Sequence, residues 1–168
     1  VVRIKGMPQG LAVSVDGNGR HCYLDPYRGA MLAVAEAARN VACAGAEPIG
    51  GTNNLNFGNP ERPEIMWQFA EAVRGIGDAC RALDVPITGG NVSLYNESKA
   101  TGGGSAILPT PAIGGVGLML DHEKMATIPF KAAGEEIFVI GRNNGHLGQS
   151  LWLREIHGRE DGEAPQVD

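Results

Sequence analysis

Two stretches of the chain place apolar residues at helical spacing, with polar residues on the opposite side. The first, residues 29–44, is rich in alanine and is followed by Gly45, a residue type that is common just past a helix C-terminus. The second, residues 63–83, begins with a proline, which suits the first turn of a helix. The pattern predicts two amphipathic helices, and the small apolar side chains of the first indicate close packing against a sheet.

Shorter apolar runs around these helices predict strands. Residues 11–15 alternate between apolar and small side chains. The Asp-Gly-Asn-Gly that follows at residues 16–19 favours a hairpin turn, with residues 21–24 as the returning strand. Residues 85–88 and 112–120 are two further predicted strands.

The character of the sequence changes near residue 122. A charged connector leads to an apolar run at residues 136–141, which we predict to be a strand, and then to a helix over residues 149–156. Together the elements predict an α/β fold in which helices cover one face of a mixed sheet. We expect one domain over residues 1–122 and the start of a second over residues 123–168. Because the chain begins without methionine, we expect it to be a piece of a longer protein.

Composition and charge narrow the functional classes. Lysine and arginine number 14 and aspartate and glutamate 19, so the net charge of −5 offers no basic surface for nucleic acid. No apolar run reaches the ~20 residues of a membrane span. The three cysteines have no CxxC spacing, which favours free, buried thiols and a cytoplasmic location.

Two glycine-rich polar stretches are the candidate ligand sites. Residues 50–60 hold four asparagines and three glycines, and we expect a loop between the two helices. Amide side chains donate and accept hydrogen bonds without charge, which suits a nucleotide or a metal–phosphate complex. A turn cluster without any ligand explains the same composition equally well.

The second stretch, residues 88–93, directly follows a predicted strand. Its glycines would let backbone amides approach a phosphate, Asn91 offers a carbonyl oxygen suited to Mg²⁺, and Ser93 offers a hydroxyl. The spacing matches neither a Walker loop nor a dinucleotide-binding fingerprint, so a plain glycine turn is as good an explanation. Residues 102–105 could close over a phosphate or simply form a glycine-rich loop.

Five segments, in this order, resemble one enzyme family: DGNGRHCYLDPY, VAEAARNVACAGAEP, NLNFGNPERPE, MWQFAEAVRGIGDACRALDVP and GGNVSLYNE. The family is phosphoribosylformylglycinamidine synthase, and the likeness is to the synthetase subunit of its small, multi-subunit bacterial form. A broader likeness extends to aminoimidazole ribonucleotide (AIR) synthetase. The resemblance implies an AIR-synthetase N-terminal-like domain, followed by the start of a truncated C-terminal-like domain. It places the chain in the second of two tandem modules.

The resemblance also implies an activity, that of an ATP-dependent C–N ligase of purine biosynthesis. ATP would activate the amide oxygen of formylglycinamide ribonucleotide, and ammonia would displace phosphate to give the amidine. The implied cofactors are ATP and Mg²⁺. The implied partners are a glutamine amidotransferase subunit, which makes the ammonia, and a small accessory subunit. We expect the fragment alone to be inactive, because the family's catalytic histidines lie in the first module.

Four residues carry over from the family's motifs, and none of them is a catalytic residue. Asn53 and Gly90 stand where the family binds ATP, Asn91 stands at a Mg²⁺ ligand, and Ser93 at a contact to the ribonucleotide substrate. Most members have aspartate where this chain has Asn53, a departure that removes a charge. Asn54 and Asn56 are plausible neighbours of the site.

Two alternatives stay open. The chain could be a structural module that docks partner subunits without ligand contacts of its own, which the departure at Asn53 favours slightly. It could also be a different ATP-dependent member of the superfamily, although LNFGNP and GNVSLYNE belong to the amidine-forming branch. We further expect residues 1–120 to expose an apolar sheet face or edge and to self-associate through it.

Overall fold

A five-stranded mixed sheet forms the framework of the chain, in a computed structural model that describes residues 1–98, 105–142 and 145–167. In chain order the elements are β1 (Val2–Arg3), β2 (Gly10–Asp16), α1 (Gly19–Leu24), α2 (Pro26–Cys43), β3 (Glu47–Asn56), α3 (Pro63–Leu83), β4 (Ile87–Ser93), β5 (Glu97–Ser98), β6 (Ser105–Ala106), β7 (Thr110–Met119), a 3-10 turn (His122–Lys124) and α4 (Leu151–His157). The strand order is β1-β2-β7-β3-β4, and β5 pairs with β6 separately.

The predicted α/β class with a mixed sheet is confirmed. β7 runs antiparallel to both β2 and β3, whereas β3 and β4 run parallel. Parallel neighbours need a crossover connection, and α3 supplies it. α2 packs on β2 and β7, and α3 packs on α2, so the two long helices lie on the same side of the sheet.

Both predicted helices are present. α3 has the predicted bounds. α2 begins at Pro26 rather than at residue 29, because the proline occupies its first turn and Asp25 caps it: Arg28 N donates to Asp25 Oδ1 at 2.9 Å. Its alanine-rich face lies close to the sheet, as predicted, since Ser14 Oγ on β2 donates to Ala37 O at 2.9 Å.

The core lies between these helices and the sheet. Phe57 is fully buried, and its ring meets that of Phe69 edge-on with 5.2 Å between centroids. The remaining buried members of this cluster are mostly small or aliphatic: Ala30, Ala33, Val34, Ala37, Leu55, Ile65, Ala72, Ile76, Ala79 and Ile113.

The predicted hairpin after β2 is wrong. Residues 19–24 form α1 instead of a returning strand, and Asn18 caps this helix, because Arg20 N and His21 N donate to Asn18 Oδ1 at 3.1 and 3.2 Å. Asparagine favours helix N-caps as strongly as it favours turns. β7 takes the place beside β2 that the returning strand would have occupied.

Two predicted loops are largely strands. Residues 50–56 belong to β3 and residues 88–93 to β4, so the predicted glycine turn after residue 88 is wrong as well. Glycine and asparagine are unfavourable in strands, and the sequence therefore predicted loops. Pairing with neighbouring strands overrides that local preference.

The predictions for the last third are correct in part. α4 matches the helix predicted over residues 149–156. Residues 136–141, all described, do not form the predicted strand, and Phe138, Val139 and Ile140 are exposed. A strand needs a partner for its backbone groups, and this segment pairs with none of the described strands. The division into two domains near residue 122 stays a prediction.

All three cysteines are free, as predicted, but they differ in exposure. Cys22 is buried, Cys80 is half-buried and Cys43 is exposed, so the predicted burial is wrong for Cys43. Burial raises the pKa of Cys22 to about 12 and also raises the pKa of Cys80. Among the described residues, no helix combines the length and the apolar character that crossing a bilayer requires.

Gly75 sets the distance between α2 and α3. A Cβ at this position would lie 2.1 Å from Tyr27 O, whereas a Cβ at Gly77 would meet the flexible Arg81 guanidinium at 3.4 Å. We expect Gly75→Ala to lower the free energy of unfolding by about 1–3 kcal/mol, because the two helices must separate. Gly77→Ala should raise it by about 0.5–1 kcal/mol, because alanine favours helix. Urea unfolding followed by circular dichroism measures both, and equal stability of the two variants would contradict the close contact.

Candidate functional site

β3 and β4 bring the two asparagine- and glycine-rich stretches side by side. All four residues predicted for the site therefore lie on two adjacent strands, and β4 is the outermost strand of the sheet over the described ranges. The pairs in register are Asn53–Gly90, Asn54–Asn91 and Asn56–Ser93.

The predicted residues divide between the two faces of the sheet, because successive side chains of a strand point to opposite sides. Leu55 packs into the helix-covered core, and Asn53, two residues earlier, is on the same side. Asn53 lines a cleft of about 470 Å³ beside the end of α3, together with Cys80 and Arg81. Asn91 and Ser93 fall on the other side, which we call the open face.

The open face carries a cleft of about 430 Å³ whose lining has no charged side chain. Asn91 Nδ2 donates to Asn54 Oδ1 at 3.3 Å, and Thr52 Oγ1 donates to Gly89 O at 3.0 Å. These contacts tie polar groups of β3 and β4 together at the floor of the cleft. The lining residues come from β2, β3, β4 and β7: Val15, Thr52, Asn53, Asn54, Gly90, Asn91, Ala112 and Gly114.

Gly90 lies where no side chain fits. A Cβ here would lie 2.1 Å from Asn53 Oδ1 and 2.2 Å from Asn53 O, while a Cβ at the neighbouring Gly89 would meet nothing within 4 Å. The pairing of β3 with β4 thus requires glycine at position 90. The backbone of this residue lines the open-face cleft.

Ser93 stands at the end of β4 in a network that continues the strand pair. Phe57 N donates to Ser93 O at 3.0 Å. Asn96 Nδ2 donates to Phe57 O at 3.0 Å and to Ser93 O at 2.9 Å. Asn96 is not among the residues predicted from the sequence. An asparagine shortly after a strand is the signal that could have found it, because its side chain readily bonds nearby backbone.

The donor set fits one part of a magnesium site. Mg²⁺ takes oxygen ligands and is usually held by one or two protein groups together with waters and substrate phosphates. Because Asn91 Nδ2 donates to Asn54, Asn91 Oδ1 is the candidate ligand atom. In the part of the chain that the structure describes, no group of three or more His, Cys, Asp or Glu side chains could hold a metal ion. Further oxygens would have to come from a nucleotide, from water or from other residues.

A larger cavity lies away from all four predicted residues. It measures about 580 Å³ at the start of α3, and Tyr23, Arg62 and Gln68 line it together with residues 105–109. Residues 102–104 of the proposed phosphate-closing stretch lie outside the described residues, and Ser105 begins β6.

Residues 1–119 match the family model described as "AIR synthase related protein, N-terminal domain". The chain belongs to this family. It is 66% identical over its whole length to phosphoribosylformylglycinamidine synthase subunit PurL of Novosphingobium aromaticivorans, and 59% identical to PurL of Zymomonas mobilis. The chain spans 23% of the length of each of these relatives. The resemblance found in the sequence motifs is confirmed.

Solved structures of Thermotoga maritima PurL share the fold. PurL complexed with ATP aligns with a TM-score of 0.66 and 31% identity, over 74% of this chain and 20% of that one. PurL complexed with FGAR aligns with a TM-score of 0.66 and 28% identity, over 76% of this chain and 20% of that one. The PurLQS structure aligns with a TM-score of 0.67 and 30% identity, over 76% of this chain and 20% of the matched chain. The AIR-synthetase N-terminal-like fold of this family member is confirmed.

Proposed function

We propose that the chain is part of the synthetase subunit of phosphoribosylformylglycinamidine synthase, and that its open face forms part of the surface that holds ATP, Mg²⁺ and formylglycinamide ribonucleotide. Identity of 66% to a protein of that name over the whole chain supports the proposal. The observation that carries it is the register of β3 and β4, which aligns the amides of Asn54 and Asn91 in an uncharged cleft.

The proposed reaction needs positioned, uncharged groups around a phosphoryl transfer. The oxygen of the glycinamide carbonyl attacks the γ-phosphorus of ATP, and ADP leaves. Ammonia then adds to the activated carbon, and phosphate leaves with the former amide oxygen to give the amidine. Mg²⁺, when bound, neutralises charge on the transferring group. The lining of the open-face cleft includes no titratable side chain, so these residues orient the substrates rather than carry protons.

We assign Asn53 and Gly90 to ATP, Asn91 to Mg²⁺ and Ser93 to the ribonucleotide. The side chain of Asn53 lies on the helix-covered face, so its contact and that of Gly90 would be made by backbone atoms in the open-face cleft. An uncharged side chain in place of the family's usual aspartate would then alter the contact little. The ATP, AMPPCP and FGAR complexes of Thermotoga maritima PurL support nucleotide and substrate as ligands.

The proposed setting is a cytoplasmic complex. A glutamine amidotransferase subunit would supply ammonia, and a small accessory subunit would complete the assembly. The PurLQS structure from Thermotoga maritima supports such a complex.

A docking role for the open face is the second candidate. Val13 and Val15 on β2 are 58% and 74% exposed, and Val15 lines the cleft. Adjacent exposed apolar side chains favour contact with another protein surface.

Calorimetric titration of the full-length subunit with Mg-ATP distinguishes the docking role from the ligand-binding role. A docking role alone predicts that Asn91→Ala binds Mg-ATP normally, whereas a ligand role predicts weaker binding.

Removing the proposed ligand contacts should slow the reaction of the full-length subunit. Asn91→Ala and Ser93→Ala should each lower kcat/KM for ammonia-dependent amidine formation about tenfold or more, because a contact to a charged group contributes roughly 1.5–3 kcal/mol. Asn40→Ala is the matched control, because its amide donates to Asp16 Oδ1 at 2.9 Å away from the cleft. If both site variants kept the kcat/KM of the unmodified subunit, the site assignment would fail.

The exposed valines of the open face should make the isolated chain self-associate. We expect its sedimentation coefficient to rise with concentration, and Val15→Asp to reduce that rise, because a charge at this position would be buried on association. Ile128→Asp serves as the control, since Ile128 is exposed as well but lies beyond the sheet. Sedimentation velocity over a range of concentrations measures all three proteins. A monomer at every concentration would contradict the expectation.

A further inference from the structure

We propose that Asn96 is a positioning residue, which fixes the hydroxyl of Ser93 so that its oxygen accepts a hydrogen bond from the substrate. This inference deepens the proposed function and rests on it, because the proposed function assigns Ser93 to the ribonucleotide.

The amide nitrogen of Asn96 has nearer acceptors than the Ser93 hydroxyl. Nδ2 lies 2.9 Å from Ser93 O and 3.0 Å from Phe57 O, but 3.1 Å from Ser93 Oγ. The amide carries two hydrogens, which the two backbone carbonyls and the Ser93 hydroxyl oxygen share as acceptors. Since oxygen atoms surround Nδ2, the amide has one favourable orientation.

The orientation of this amide decides the orientation of the hydroxyl. Ser93 Oγ lies 3.3 Å from Asn96 Oδ1, which has no hydrogen and accepts the hydroxyl proton. Because Nδ2 also donates toward Oγ at 3.1 Å, one lone pair of Oγ then remains for a ligand. Such an acceptor suits an N–H or O–H group, as in an amide nitrogen or a ribose hydroxyl, rather than an oxygen of an ionised phosphate.

Asn96 is itself held by the backbone on both sides. Its N donates to Phe57 O at 3.1 Å, and its O accepts from Ile107 N at 3.0 Å. The preceding Tyr95 has a φ of 60°, in the left-handed region, and its N donates to Gly58 O at 2.9 Å. A non-glycine residue keeps this conformation only where its surroundings fix it. The turn therefore presents Ser93 in a fixed geometry before the substrate arrives.

Steady-state kinetics of the full-length subunit can test this role with Ser93→Ala, Asn96→Ala and the double variant. We expect Ser93→Ala to raise the KM for the ribonucleotide about tenfold and Asn96→Ala about three- to tenfold, in the range of one lost hydrogen bond. The double variant should match Ser93→Ala, because Asn96 acts through the hydroxyl. The KM for ATP should stay constant in all three, and Asn40→Ala should change neither KM.

Thermal unfolding of each variant checks that the fold is retained. If Asn96→Ala does not fold, Asn96→Ser replaces it, because serine also bonds to turn backbone but its side chain is shorter. The positioning role would be overturned if the double variant raised the KM for the ribonucleotide by the product of the two single effects. A parallel rise in the KM for ATP would overturn it as well. Either result would leave the role of Ser93 intact. An unchanged KM in Ser93→Ala would instead remove the Ser93 assignment of the proposed function, and the role of Asn96 with it.

Discussion

The parallel pairing of β3 with β4 is the constraint on which the candidate site depends. The ladder places Asn54 beside Asn91 and Asn56 beside Ser93. Because side chains alternate along a strand, a slip of one residue would move Asn91 and Ser93 to the helix-covered face. Gly90 permits this pairing, since any side chain there would collide with the backbone of its partner strand. The register thus fixes which polar groups can meet a ligand.

The same strand pair performs two tasks on its two faces. On one face, Leu55 packs with Phe57 and the helices, and burial of this apolar surface holds the strands in place. On the other face, amide and hydroxyl groups stand without charged neighbours in the cleft. A rigid, packed sheet carrying polar groups at fixed spacing is well suited to orient a phosphorylated substrate. The proposed function uses the open face in this way.

The sequence predicts the helices better than it predicts the site. α3 has the bounds that its apolar stripe and initial proline indicate, because these signals are local. The strands of the site could not be predicted in this way, since asparagine and glycine favour turns and only the neighbouring strands hold them extended. Asn18 shows a related limit, because one residue type serves both turns and helix caps. Val15 and Ala112 line the cleft because the strand order places β7 next to β3 and β2 next to β7. Strand order cannot be predicted from a local sequence pattern.

A structure of the full-length subunit with Mg²⁺, a non-hydrolysable ATP analogue and the ribonucleotide would test the central claim most directly. We expect the metal and the phosphates to contact Asn91 on the open face, and the ribonucleotide to contact Ser93. Ligands bound away from both strands, with the open face buried and dry against another part of the protein, would contradict the claim.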